Sequence, residues 1–304
     1  MKIFLLLLFH STRLIAADER AMLLVVSEPG SAAYDTEFRR QAGVWQELAG
    51  KAKMDVRTIG LGEVSPEGDR PQLEKALAEI PKTGGDLWLV WIGHGSFDGR
   101  TANFNLRGKD IDAESLKRLL EPIKRRLIIL NLFSASAPFL PALAGPERVI
   151  VSAGRSGSER NHSRFGAKFA DALTAPAADL DLDGSLSLLE ATLHASAGTR
   201  AFYEDAQRVL QEHATLDDNG DGRPTPADAF KGLRSDADGA VAREIFFLTN
   251  KADPLPPEAR EKRAALELAI DALRKRKTSL QEAEYYDGLE KLMREMAKLY
   301  APTP

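Results

Sequence analysis

The sequence predicts an α/β protein built on a doubly wound, mostly parallel sheet. Short continuous runs of Val, Ile and Leu recur along the first half, as in strands buried on both faces. Amphipathic stretches long enough for helices separate them, which is the alternation that gives parallel strands with crossover helices. In such sheets ligands gather outside the carboxyl ends of the strands.

The elements follow in order. AMLLVVS (21–27) reads as the first strand, and residues 34–49 as a helix whose apolar positions are Phe38, Val44, Trp45 and Leu48. MDVRTIG (54–60) is the second strand, and residues 72–80 a short helix. DLWLVWIG (86–93) is the third strand, residues 113–120 a helix, and RLIILNLF (126–133) the fourth strand. ERVIVSAG (147–154) is the fifth, followed by a helix over 164–173. Beyond Pro176 the texture turns to Asp/Gly-rich loops and helical stretches. The Pro-rich KADPLPPEA (251–259) ends this region, so one domain is expected over 18–253 and a helical hairpin over 254–304. Leu266, Ile270 and Leu273 form one helical stripe; Tyr285, Leu289, Leu292, Met296 and Leu299 form another. Ser279 and Glu282 have capping-box spacing at the start of the second helix. The stripes point to packing of the hairpin, with a protein partner or self-association as the alternative use.

Bulk composition narrows the function. With 304 residues and 43% hydrophobic content the chain can build a real core. A net charge of -4 gives no basic footprint for nucleic acid or an anionic membrane surface. The first residues, MKIFLLLLFHSTRLIAADER, place Lys2 before an apolar run, with small Ala16 and Ala17 behind it. This reads as a signal peptide over 1–17 and a secreted or periplasmic product, with no membrane span once it is removed. The chain has no cysteine, so no disulfide reinforces it.

Two turns fall at carboxyl ends of predicted strands. WIGHGS places His94 after the third strand, and Asn131-Leu132-Phe133-Ser134-Ala135-Ser136-Ala137 follows the fourth. A histidine turn after the third strand and a small-residue turn after the fourth resemble the legumain/caspase-like cysteine peptidases, over about residues 21–173. The loop SAGRSGSERNHSRFGAKFADAL (152–173) also resembles bacterial members. The resemblance implies a caspase/legumain-type sheet and a histidine–cysteine dyad. Aligning the small Ser-Gly step of the family's nucleophile turn with Ser136-Ala137 puts Ser134 at the cysteine; aligning acid with amide at Asn131 puts Phe133 there.

The replacement is chemically costly. A thiol is partly ionised near neutral pH, whereas a serine hydroxyl needs a base within hydrogen-bond reach and an orienting third group. In an active enzyme His94 would deprotonate Ser134, with Asp98 or Asp86 orienting the imidazole and the N–H groups of Gly95 and Ser134 stabilising the oxyanion. Arg155, Glu159 and Arg160 would line a specificity pocket. The reading favoured is a non-catalytic homologue that holds a peptide or protein segment in its cleft. An endopeptidase using Ser134 and His94, and a calcium-binding structural or adaptor protein, are the alternatives.

A cation is suggested independently. Asp179, Asp181, Asp183, Ser185, Ser187 and Glu190, with Gly184 at the bend, match the EF-hand loop, whose oxygens recur at alternate positions and whose glutamate closes the twelfth. A hard cation such as Ca2+ needs this convergence of oxygens. A second loop offers Asp217, Asn219, Asp221, Arg223, Thr225 and Asp228, weakened by Pro224 and by aspartate in place of glutamate. Asp236-Ala-Asp238-Gly239 reads as a further turn without a site.

Overall fold

The computed structural model describes residues 20–181, 183–248 and 257–300. It divides after Leu248 into two compact units. The proposed signal peptide lies outside the described residues, as does most of the Pro-rich break.

The first unit is an α/β layer structure around a seven-stranded sheet. β1 (Ala21–Val26) pairs in parallel with β2 (Asp55–Ile59) on one side and β3 (Leu87–Gly93) on the other. Between β3 and the next sheet strand lies a small three-stranded antiparallel sheet: β4 (Gly95–Phe97), β5 (Ala102–Phe104) and β6 (Ile111–Asp112). β7 (Leu127–Phe133) then lies parallel to β3, and β8 (Arg148–Ser152) parallel to β7. β9 (Thr215–Asp217) and β10 (Thr225–Pro226) close that edge antiparallel. The sequence pattern missed the small sheet and this closing hairpin because two- and three-residue strands carry no periodicity.

Helices cover both faces, because alternate residues of each strand face opposite sides. Met22, Leu24 and Val26 point into a core with Phe38, Trp45, Phe169 and Leu188, while Leu23 and Val25 point into another with Leu73, Leu116 and Phe139. The first face carries α1 (Ala32–Lys51); the second carries α2 (Arg70–Glu79), α3 (Ala113–Leu120) and α4 (Phe139–Leu143); α5 (Phe165–Ala172) and α6 (Leu188–Asp205) return to the first. Caps account for the helix starts: Ser31 accepts from the Tyr34 amide and Asp112 from that of Ser115. Strand order reverses around β1, which places a crevice beyond the carboxyl ends of β1 and β3.

The second unit is a helical hairpin of α7 (Pro257–Lys275) and α8 (Glu282–Leu299). The helices run antiparallel: Lys262 lies 3.7 Å from Glu295 at one end, and Gly288 lies against Leu273 at the other. The expected Ser279 capping box does not form. A 3-10 turn over Lys277–Ser279 intervenes, the Ser279 hydroxyl donates to the Arg276 carbonyl at 2.8 Å, and α8 begins behind Gln281. Among the described residues no helix is long and apolar enough to cross a membrane.

Candidate functional site

Because β3 and β7 are neighbours with Gly93 opposite Phe133, the residues that follow each strand meet at the same edge of the sheet. The Gly95 N–H donates to Ser134 Oγ at 3.1 Å, and that hydroxyl donates back to the Gly95 carbonyl at 3.2 Å. Ser134 is buried by this closure. A methyl group at Gly95 would lie 2.3 Å from the Ser134 carbonyl oxygen and 2.8 Å from that of Asn103, so glycine alone fits between the strands. Ala135 turns the chain in the left-handed region, with φ 57°, and its N–H is taken by the Glu159 carbonyl. Phe133 points elsewhere, into an aromatic cluster with Phe104 and Phe139 at 4.9 and 5.2 Å.

His94 is fixed by different partners. Its N–H donates to Ser27 Oγ just after β1, and its ring lies near enough to the Pro29 carbonyl for that oxygen to favour the protonated form. The ring stands edge-on to Tyr34 at 4.7 Å and Phe38 at 5.0 Å, with His162 at 5.5 Å. Burial lowers its pKa, opposed by the Pro29 carbonyl, so the neutral imidazole is favoured. Among the described residues no hydrogen bond joins the His94 ring to Ser134. The orienting acids are also elsewhere. Asp86 sits at the start of β3, the end away from His94, in a bidentate pair with Arg126 at 2.8 and 2.7 Å. Asp98 accepts the amides of Arg100 and Thr101 and so closes the β4–β5 turn. The expected oxyanion donor, the Gly95 N–H, is occupied by the hydroxyl it was meant to assist. This arrangement holds two strands together and aims no proton at a base.

His162, which sequence reasoning passed over, closes the wall beside His94. Tyr34 covers its ring at 4.5 Å, and Nδ1 is buried with no hydrogen-bond partner among the described residues. Its pKa is pushed down to about 4, chiefly by burial and then by the charges of Arg164 and His94, with Glu37 opposing. The folded state therefore binds this proton less readily than the unfolded chain, whose value is near the ordinary 6.5. Stability is full above about 6.5 and declines as pH falls toward 4. Urea midpoints are expected to drop between those limits in the native chain and to drop less in His162→Gln. Equal drops would refute this assignment.

The proposed specificity residues divide. Arg155 is exposed and borders a cavity of about 260 Å³ with Ala137, Pro138, Pro141 and Pro224, next to the turn after β7. Glu159 is a strut rather than a wall: Oε1 lies 2.8 Å from His213 Nδ1, and Oε2 accepts the amides of His213 and Arg155. Arg160 reaches back to the Phe97 carbonyl at 3.4 Å and ties this loop to β4. Glu212, also missed, holds the rest of the loop. It accepts from Ser163 Oγ, the amides of Arg164 and Phe165, and the Tyr203 hydroxyl, all between 2.7 and 3.0 Å.

The acidic loops are wound around their own amides. Asp179 accepts from Asp183 and Gly184, Asp181 from Asp183, and Asp183 from Ser185. Ligand atoms of Asp179, Asp181 and Asp183 lie within 4.8 Å of one another. Burial raises the Asp181 pKa, with Glu190, Asp183 and Asp179 adding repulsion that a cation would relieve. Ser187 and Glu190 form a capping box that starts α6. In the second loop Asp217 accepts from Gly220 and Gly222, Asn219 from Asp221, and Asp221 from Arg223. Its last positions serve other contacts. Thr225 Oγ donates to Asp238 at 2.6 Å, and exposed Asp228 lies 3.6 Å from Arg200. Asp238 is more than a turn residue: buried, it also accepts the amides of Asp218 and Thr225. Three carboxylates of the first loop converge. Glu190, however, uses one oxygen on the Leu180 and Asp181 amides and the other on the Ser187 amide and hydroxyl, so in both loops the expected closing residues serve other contacts.

No family model and no curated relative match the chain. Among solved structures it is similar to the Drosophila initiator caspase Dronc, at 13% identity over 68% of this chain and 81% of that one, TM-score 0.44. It is similar to caspase-1 from Spodoptera frugiperda at 10% identity over 66% and 86%, TM-score 0.42. A protein from Geobacter sulfurreducens is similar at 11% identity over 66% and 92%, TM-score 0.40.

Proposed function

We propose that this chain is an exported peptidase homologue of the caspase/legumain type, in which Ser134 stands at the cysteine position and cleavage has been given up. Its role is to hold a peptide or protein segment at the carboxyl edge of the sheet. One observation carries the reading: the Ser134 hydroxyl exchanges both its hydrogen bonds with the Gly95 peptide rather than with the His94 ring. A serine nucleophile needs its proton directed to a base and a free donor for the oxyanion. The cavity bordered by Arg155 and three prolines supports binding of a side chain from a bound segment. Asp179, Asp181 and Asp183, whose ligand atoms converge, would hold Ca2+, which would supply a rigid anchor before the start of α6.

A broad peptide library, incubated with calcium and with the native, His94→Ala and Ser134→Ala proteins, tests the reading. The expected outcome is three identical traces, with cleavage at no site above the buffer control. Cleavage by the native chain that both substitutions abolish would replace this reading with a serine endopeptidase.

A further inference from the structure

α8 carries two apolar seams, and the hairpin uses only one. The inner seam runs through Tyr285, Leu292 and Leu299; Tyr285 is buried, and Gly288 between the first two lets Leu273 of α7 approach. The outer seam runs through Tyr286, Leu289, Met293, Met296 and Tyr300, which follow one another in alternating steps of three and four residues. That spacing keeps side chains in line along a helix that packs against another helix. Tyr286, Met293 and Tyr300 are 50%, 51% and 53% exposed. Within the hairpin, these large side chains at heptad spacing form a helix-packing surface that α7 does not fill, rather than scattered surface apolarity.

We propose that this outer seam pairs with the α8 helix of a second copy of the chain, in antiparallel orientation about a two-fold axis near Met293. Charge selects both the occupant and the direction. Glu282, Glu284, Asp287 and Glu290 make the first half of α8 acidic, whereas Lys291, Arg294 and Lys298 outweigh Glu295 in the second. Parallel pairing would set acid against acid and base against base. Antiparallel pairing brings each acidic half beside a basic half twice over, as an isologous two-fold interface requires, and also opposes the helix dipoles. Around Met293 this sets Glu290 about level with Arg294 of the partner subunit, on the same flank of the seam, whereas Lys298 lies on the far side of the helix. Glu290 and Arg294 now pair with each other along one helix and are exposed, so exchanging that pair for two across the interface costs little. With α7 covering the inner seam, two hairpins would form a four-helix bundle. An 18-residue helix is about 27 Å long, which limits the interface to the small end of stable contacts.

Sedimentation equilibrium of the full chain, from roughly 1 to 100 μM, tests the proposal. A monomer–dimer equilibrium with no larger species is expected. Met293→Glu should raise its midpoint at least tenfold; Tyr300→Glu, at the C-cap of α8, should act likewise if the first variant misfolds. Glu290→Lys and Arg294→Glu should each weaken the dimer, and the double variant should restore it. A monomer at all concentrations, a trimer, or a double variant weaker than either single one would overturn the proposal. A monomer in which Met293→Glu also lowers Tm would show instead that the seam is filled within its own chain.

Discussion

Glu212→Ala lowers the unfolding free energy by about 3–5 kcal/mol, because several buried donors lose their shared acceptor at about 1–3 kcal/mol each and water recovers part of the loss. The donors are the Ser163 and Tyr203 hydroxyls and the amides of Arg164 and Phe165, which open α5. Burial, and then its hydrogen bond to Glu212, raises the Tyr203 pKa, so this hydroxyl keeps its proton and needs an acceptor. Glu212→Gln retains one acceptor oxygen and should cost about half as much. Urea denaturation of the three proteins checks the order, and an alanine variant within about 0.5 kcal/mol of the native chain would contradict it. The same substitution should loosen the loop after β8, since Glu212 and its neighbour His213 clamp opposite ends of the segment from Glu159 to Phe165.

Calcium should produce the next largest shift. A cation bound only by the folded state stabilises by about 2.7 kcal/mol when its concentration is one hundred times Kd. For a chain of this size that corresponds to a Tm rise of about 4 °C. The residues responsible are those of the first loop, where three carboxylates converge and burial and mutual repulsion raise the Asp181 pKa. Asp179→Asn and Asp181→Asn should each remove most of the rise, whereas Asp228→Asn, a partner of Arg200, should leave it intact. A melt that ignores both calcium and chelator would remove the cation from the account. Because the second loop packs against the turn after α4, where a methyl on Gly220 would meet the Gly145 carbonyl oxygen at 2.3 Å, its rigidity also bears on the cavity wall.

The sequence made the large parallel sheet legible because its strands are continuous apolar runs, and strand order then put His94 and Ser134 at one edge. The partners of those two residues were not legible. Whether the Ser134 proton faces an imidazole or a carbonyl depends on a turn at Ala135 with φ 57° and on the approach of Gly95, and neither leaves a periodic signal. Asp86 and Asp98 lie near His94 in the chain, yet a seven-residue strand carries the first to the opposite end of the sheet and a hairpin turn claims the second. Glu212 and His162 escaped notice for the opposite reason: they are distant in sequence and belong to no motif, so only packing reveals them. The first acidic loop was readable because its ligand spacing is local. The fate of Thr225 and Asp228 was not, since Asp238 and Arg200 come from outside the loop.

The central claim is that the Ser134 hydroxyl is bound to the Gly95 peptide and is not activated by His94. Intact-mass analysis after exposure to an activated organophosphonate, which phosphonylates only a serine with an operative base and oxyanion site, tests it directly. The account predicts no adduct on the native chain. A stoichiometric adduct mapped to Ser134, and lost in His94→Ala, would contradict it.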